Sequence, residues 1–81
     1  MKTIAEVGDL LIFNNGLFKC FIMENHTEEN QVEYILVNTH DFKAEAWEYE
    51  LDFKVGDSVF DKDIKITQII PRDKIQLSVN L

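Results

Sequence analysis

From Trp47 to Lys54 the chain alternates bulky apolar and charged residues, Trp-Glu-Tyr-Glu-Leu-Asp-Phe-Lys, then breaks at Gly56-Asp57 and resumes in Ser58-Val59-Phe60. A period of two is the strand period, so the stretch predicts a strand, a tight turn and a second strand. On that reading Trp47, Tyr49, Leu51 and Phe53 share the face that packs inward, and Glu48, Glu50, Asp52 and Lys54 share the face in water. Val55-Gly56-Asp57 has a twin, because Val7-Gly8-Asp9 also stands directly before an apolar run. The residues after the two copies do not align, so the tripeptide reads as a reused way of starting a strand and not as an internal repeat.

Leu10-Leu11-Ile12-Phe13 is a compact apolar run and predicts a buried strand. Asn14-Asn15-Gly16 follows, and Asn and Gly are the residues that accept positive φ, so residues 17–24 should return antiparallel as the second arm of a hairpin. Residues 25–31 are polar throughout and without period, the pattern of an exposed loop. Residues 32–38 predict a third strand, with Tyr34 and Leu36 on one side, Ile35 and Val37 on the other, and both faces covered. Residues 39–46 have two readings. Thr39 or Asp41 caps a short helix, or Phe42, Ala44 and Ala46 alternate along a broken strand, and the strand is the reading carried forward. It places a β-bulge between Ala46 and Trp47, where the apolar phase slips by one. A charged hinge at Asp61-Lys62-Asp63 leads to a strand over residues 64–70. Pro71-Arg72-Asp73 reads as a turn, and residues 74–81 as a closing strand in which Ile75, Leu77, Val79 and Leu81 alternate.

A chain of 81 residues has room for one core, so residues 1–81 are expected to be a single domain. Six or seven short strands with at most one short helix predict an all-β class, as a small, strongly curved barrel of about six strands, OB-like or Src-homology-3-like. Closing the sheet is the economical way to leave no sticky edge. No apolar run approaches the roughly 20 residues that span a bilayer, and the first residues lack the apolar stretch of a secretory signal. The expected location is therefore the cytoplasm, without a membrane partner. Cys20 is the sole cysteine and lies within an apolar run, which excludes an internal disulfide and predicts a small buried hydrophobe.

The net charge of −7 is concentrated in one part of the chain. Residues 1–23 sum to zero, residues 24–57 to −8, and residues 58–81 to +1. A negative surface repels phosphate backbones and steers toward basic partners, which makes nucleic acid an unfavourable partner and a protein with a basic surface a favourable one. Acids on a solvated face also serve solubility alone.

Phe53-Lys54-Val55-Gly56-Asp57-Ser58-Val59, followed by Ile64-Lys65-Ile66 and Lys74-Ile75-Gln76-Leu77-Ser78-Val79, resembles the closing part of the RNA-binding OB modules named after the first protein of the small ribosomal subunit. The resemblance covers the last third of the chain and implies barrel topology. It also implies single-stranded nucleic-acid binding, with Phe18 and Phe21 as the stacking residues. The first half departs from that family, since its glycine-rich first hairpin is not recognisable and the middle of this chain is acidic.

Catalytic patterns are weak. His26 and His40 belong to no ligand pair or nucleophile arrangement, no glycine loop cradles a phosphate, and Asp61 and Asp63 flank Lys62 in what reads as a charged turn. The expectation is a protein without enzymatic activity, cofactor or metal. It is read as a small acidic protein-binding module whose contacts are Glu45, Glu48, Glu50 and Asp52 on one strand face, with Glu28 and Glu29 in the loop. Small acidic domains of this kind include virus-encoded inhibitors, those of phage among them, and decoys that mimic nucleic acid on a basic site of a host protein. The alternatives are a weak single-strand-binding OB module and a structural subunit of a homo-oligomer that buries Trp47 between copies.

Overall fold

The computed structural model describes residues 2–75. They form an all-β fold with five antiparallel strands in one sheet: β1 (Leu10–Phe13), β2 (Phe18–His26), β3 (Val32–Asn38), β4 (Ala44–Glu48) and β5 (Ile66–Ile70), in the order β4-β3-β2-β1-β5. The one helical element among the described residues is a 3-10 turn over Arg72–Lys74. It falls on the predicted Pro71-Arg72-Asp73 turn and takes in Lys74, the first residue of the predicted closing strand, whose residues from 76 onward lie outside the described residues. No described helix is long and apolar enough to cross a membrane.

The first hairpin forms where expected. Asn14 and Asn15 adopt φ of 45° and 58° and Gly16 of 113°, the left-handed conformations these residues tolerate best. Asn14 also anchors the turn to a distant segment. Its Oδ1 accepts the Lys65 N–H at 2.9 Å and its Nδ2 donates to the Asp63 carbonyl at 3.0 Å. β2 runs on to His26, two residues into the predicted loop, because Asn25 and His26 pair with Glu33 and Val32. Backbone pairing is indifferent to the polarity of an exposed side chain, so a polar strand end is invisible to hydropathy. Residues 39–43 are a turn and not a helix, closed by the Phe42 N–H on the Asn38 carbonyl at 2.8 Å, with Phe42 at φ 57°.

Both Val-Gly-Asp tripeptides build one and the same turn. Gly8 and Gly56 take φ of 92° and 98°. In each copy the Asp N–H donates three residues back at 3.0 Å, Asp9 to Glu6 and Asp57 to Lys54. The N–H of that same residue returns to the Asp Oδ2, at 2.8 Å for Glu6 and 3.1 Å for Lys54. Each turn then docks on a strand through two backbone bonds, Gly8 and Asp9 with Ile22 and Gly56 and Asp57 with Ile66. The tripeptide is thus a reused turn, but only the first copy starts a strand: β1 begins at Leu10, whereas Ser58 makes a single bridge to Lys65 and the expected strand Ser58-Val59-Phe60 does not form.

The core lies on one face of the sheet. Leu11 and Phe13 of β1, Cys20 and Ile22 of β2, Leu36 of β3 and Ile66 and Ile69 of β5 are all buried, and Ala5 and Phe53 cover them from the flanking segments. Residues 2–5 run beside the outer edge of β5, where Lys2 bridges Ile69, and then pair with residues 53–55. One edge is thereby covered. β4 is the other edge, and among the described residues nothing pairs with its outer side.

Four expectations for β3 and β4 need correction. The opposite face of β3 is only half-covered, since Leu36 is buried while Ile35 and Val37 are half-buried. The inward face assigned to residues 47–53 is also overturned. Trp47 and Tyr49 are 59% and 69% exposed, Leu51 is half-buried, and only Phe53 is core. The irregularity in the β3–β4 ladder falls at Glu45, between the pairs Val37↔Ala44 and Leu36↔Ala46, and not between Ala46 and Trp47. With that bulge, Ala46 takes the core side opposite Leu36, and Trp47 lies on the open face opposite Ile35. β4 ends at Glu48, so the long strand expected through Lys54 is replaced by a bend and an irregular passage. Trp47→Ala is accordingly expected to cost less than about 1 kcal/mol, the scale of an exposed cross-strand pair, in urea unfolding followed by circular dichroism.

Candidate functional site

β4 carries Glu45 and Glu48, and Glu50 and Asp52 follow in the passage beyond it; all four are exposed. Ion pairs among the described residues join Lys2 to Glu6 and Asp9, and Glu24 is hydrogen-bonded to His26. Among those residues, none of the four acids has a cation within ion-pair distance. Glu28 and Glu29 are exposed in the β2–β3 turn. That turn lies at the end of the sheet where β4 finishes, because Glu24, Tyr34 and Glu48 form one cross-strand row.

The structure does not gather the six predicted acids into one cluster; it sorts them. Glu48 and Asp52 line a depression of about 270 Å³ together with Asp57, which the sequence reading left out, and with Phe53, Ser58 and Val59. Glu45 lines a different depression, of about 310 Å³, with Phe18, Asn38 and Phe60. Glu50, Glu28 and Glu29 line neither. Glu48 and Asp57 stand apart in the sequence and share this depression only because the chain turns at Val55-Gly56-Asp57.

Phe60 is the residue that sequence reasoning missed. It appears there only as the end of a strand, whereas in the fold its ring tilts at 53° against both Phe13, at 5.2 Å, and Phe18, at 5.4 Å. Phe18 stacks on Phe13 with centroids 4.7 Å apart and planes 16° from parallel. One of the two expected nucleic-acid stacking residues thus has a ring face committed to the core. Phe21 is half-buried on the opposite face of the sheet, so the two do not form a shared platform.

Cys20 is fully buried and unpaired, as expected. Burial pushes its thiol up to about 12, with the charges of Glu45 and Asp41 adding to the shift. A thiol held that high is not a nucleophile at neutral pH. His26 Nε2 lies 2.7 Å from Glu24 on an exposed strand end. Asp61 Oδ1 accepts the Asp63 N–H at 3.3 Å, and no group of three or more His, Cys, Asp or Glu among the described residues is placed to hold a metal ion. Comparison with known protein families, curated proteins and solved structures finds no match.

Proposed function

We propose that this chain is a non-enzymatic protein-binding module that docks the acidic margin of its sheet, from Glu45 to Asp52, on a basic surface of another protein. The fold reading that accompanies it is a small curled barrel. The observation that supports the module most directly is the coincidence, among the described residues, of an edge strand without a pairing partner and exposed carboxylates without cations. Such an edge offers backbone hydrogen-bonding groups and a steering field together. Self-association through the same edge is disfavoured, because it would bring Glu45 and Glu48 of two copies together. An inhibitor or nucleic-acid decoy acting on a host protein is one form of this activity.

The test is affinity capture from the native host with wild type and with the Glu48→Lys, Glu50→Lys double variant. The wild type is expected to retain a protein whose affinity falls about tenfold or more with the charge reversal and declines with added salt, while the thermal transition is unchanged. Binding that ignores the reversal, or retention of nucleic acid in place of protein, refutes the reading.

A further inference from the structure

The depression between Phe18, Asn38, Glu45 and Phe60 has a chemistry that the acidic margin alone does not specify. Its aromatic wall is set before any ligand arrives, since Phe18 is stacked on the buried Phe13 and Phe60 is tilted against both. Among the described residues its one carboxylate is Glu45, the bulged residue of β4, which shares the lining with Phe18 and Phe60. Asp41, in the adjoining turn, adds a second negative charge nearby, and both charges are felt at Cys20 below. Asn38 Oδ1 is held by the His40 N–H at 2.8 Å, so the remaining wall is fixed too. Neither Glu45 nor Asp41 has an ion-pair partner among the described residues.

From this geometry we infer that the depression receives an arginine side chain presented by the partner protein, its guanidinium packed against the aromatic wall of Phe18 and Phe60 and paired with Glu45. Charge complementarity selects a cation, and an apolar wall selects one that carries an apolar stem. A guanidinium is planar, weakly hydrated and stacks on aromatic faces, whereas an ammonium keeps its water. The site deepens the proposed docking of the acidic margin and rests on that reading for the identity of its ligand as part of a protein.

The test uses backbone proton–nitrogen correlation spectra of the labelled protein titrated with N-acetyl-arginine methylamide, and in parallel with the citrulline and lysine analogues, to concentrations on the order of 10 mM. The expected result is saturable shifts at Phe18, Asn38, Glu45 and Phe60 with the arginine probe. They should be about fivefold weaker with citrulline, which keeps the shape and loses the charge, and intermediate with lysine. Glu45→Gln and Phe60→Leu should each suppress the response, the latter keeping an apolar filling while removing the ring. Equal shifts from citrulline or lysine, shifts spread over Glu48, Asp52 and Asp57 instead, or no shifts overturn the proposal. Silence here with a captured protein that still responds to the Glu48 and Glu50 reversal would end the arginine site and leave the acidic margin standing. The converse pattern would end the margin and leave the site.

Discussion

Asp9→Ala is expected to destabilise the protein by about 3 kcal/mol, and so to lower its melting temperature by roughly 12–24 °C in a thermal scan. Asp9 is the one fully buried charged residue among those described. Its carboxylate lies 2.6 Å from Lys2 Nζ and accepts the N–H groups of Glu6 at 2.8 Å and Arg72 at 2.9 Å. Removing it takes the closer of two carboxylates from Lys2, which keeps Glu6 at 3.4 Å, and leaves two backbone donors unpaired at the point where the N-terminal segment, the first turn and the end of β5 meet. The cost sits at the lower end of the range for a broken buried pair because Lys2 is partly exposed and can turn to water.

Asp57→Ala is the matched control. It occupies the same position in the same turn, but it is only half-buried and makes no ion pair among the described residues, so a loss of about 1 kcal/mol is expected. The contrast is also pH-dependent. Burial by itself raises the Asp9 carboxyl, but the hydrogen bond from Lys2, the two N–H groups and the Lys2 charge outweigh it and hold the group below the ordinary value of 3.8. A depressed folded value means that the stabilisation is whole above the unfolded value and is lost as pH falls through the folded one. The gap between wild type and Asp9→Ala, read from urea midpoints, should therefore be constant near neutral pH and shrink below pH about 4. Lys2 is raised above its ordinary 10.5, chiefly by its hydrogen bond to Asp9, so the same contact fades again in strong alkali.

Phe13→Ala is expected to cost about 3–5 kcal/mol, out of a total stability of about 4–12 kcal/mol for a domain of this length. Phe13 is completely buried and touches the rings of both Phe18 and Phe60. Truncation leaves a cavity that two rings from different segments must fill, and it removes the support of the depression that holds Glu45. The variant's melting temperature should fall by roughly 12–40 °C in a thermal scan followed by circular dichroism. Phe13→Leu, which keeps most of the volume, should stay folded and lose about 1–2 kcal/mol.

Local structure was legible wherever the cause was local. Asn14-Asn15-Gly16 announces its turn because those residues accept left-handed backbone at little cost, and the structure places all three at positive φ. The two Val-Gly-Asp turns were legible for the same reason, since a glycine and an acid three residues from an N–H are all that the motif requires. Gly8 carries a further constraint that sequence does not show: a Cβ there would stand 3.2 Å from the Arg72 side chain. The six acids were correctly read as exposed. That Glu48 and Asp52 line one depression and Glu45 another was not legible, because it depends on Asp57 and Phe60 returning to the sheet.

What the sequence by itself determined is therefore the all-β class, the position of the first three strands and the chemistry of the turns, because hydropathy period and backbone preference act over a few residues. Tertiary structure alone decided which side of Trp47-Glu48-Tyr49 faces the core. Alternation states that two faces differ, and a bulge at Glu45 on an edge strand chose between them against side-chain size. It also decided that Lys2 and Arg72 would meet Asp9, and that Phe13, Phe18, Phe60 and Glu45 would gather at one end of the sheet. Those meetings follow from strand order and register, which no local pattern in the chain encodes.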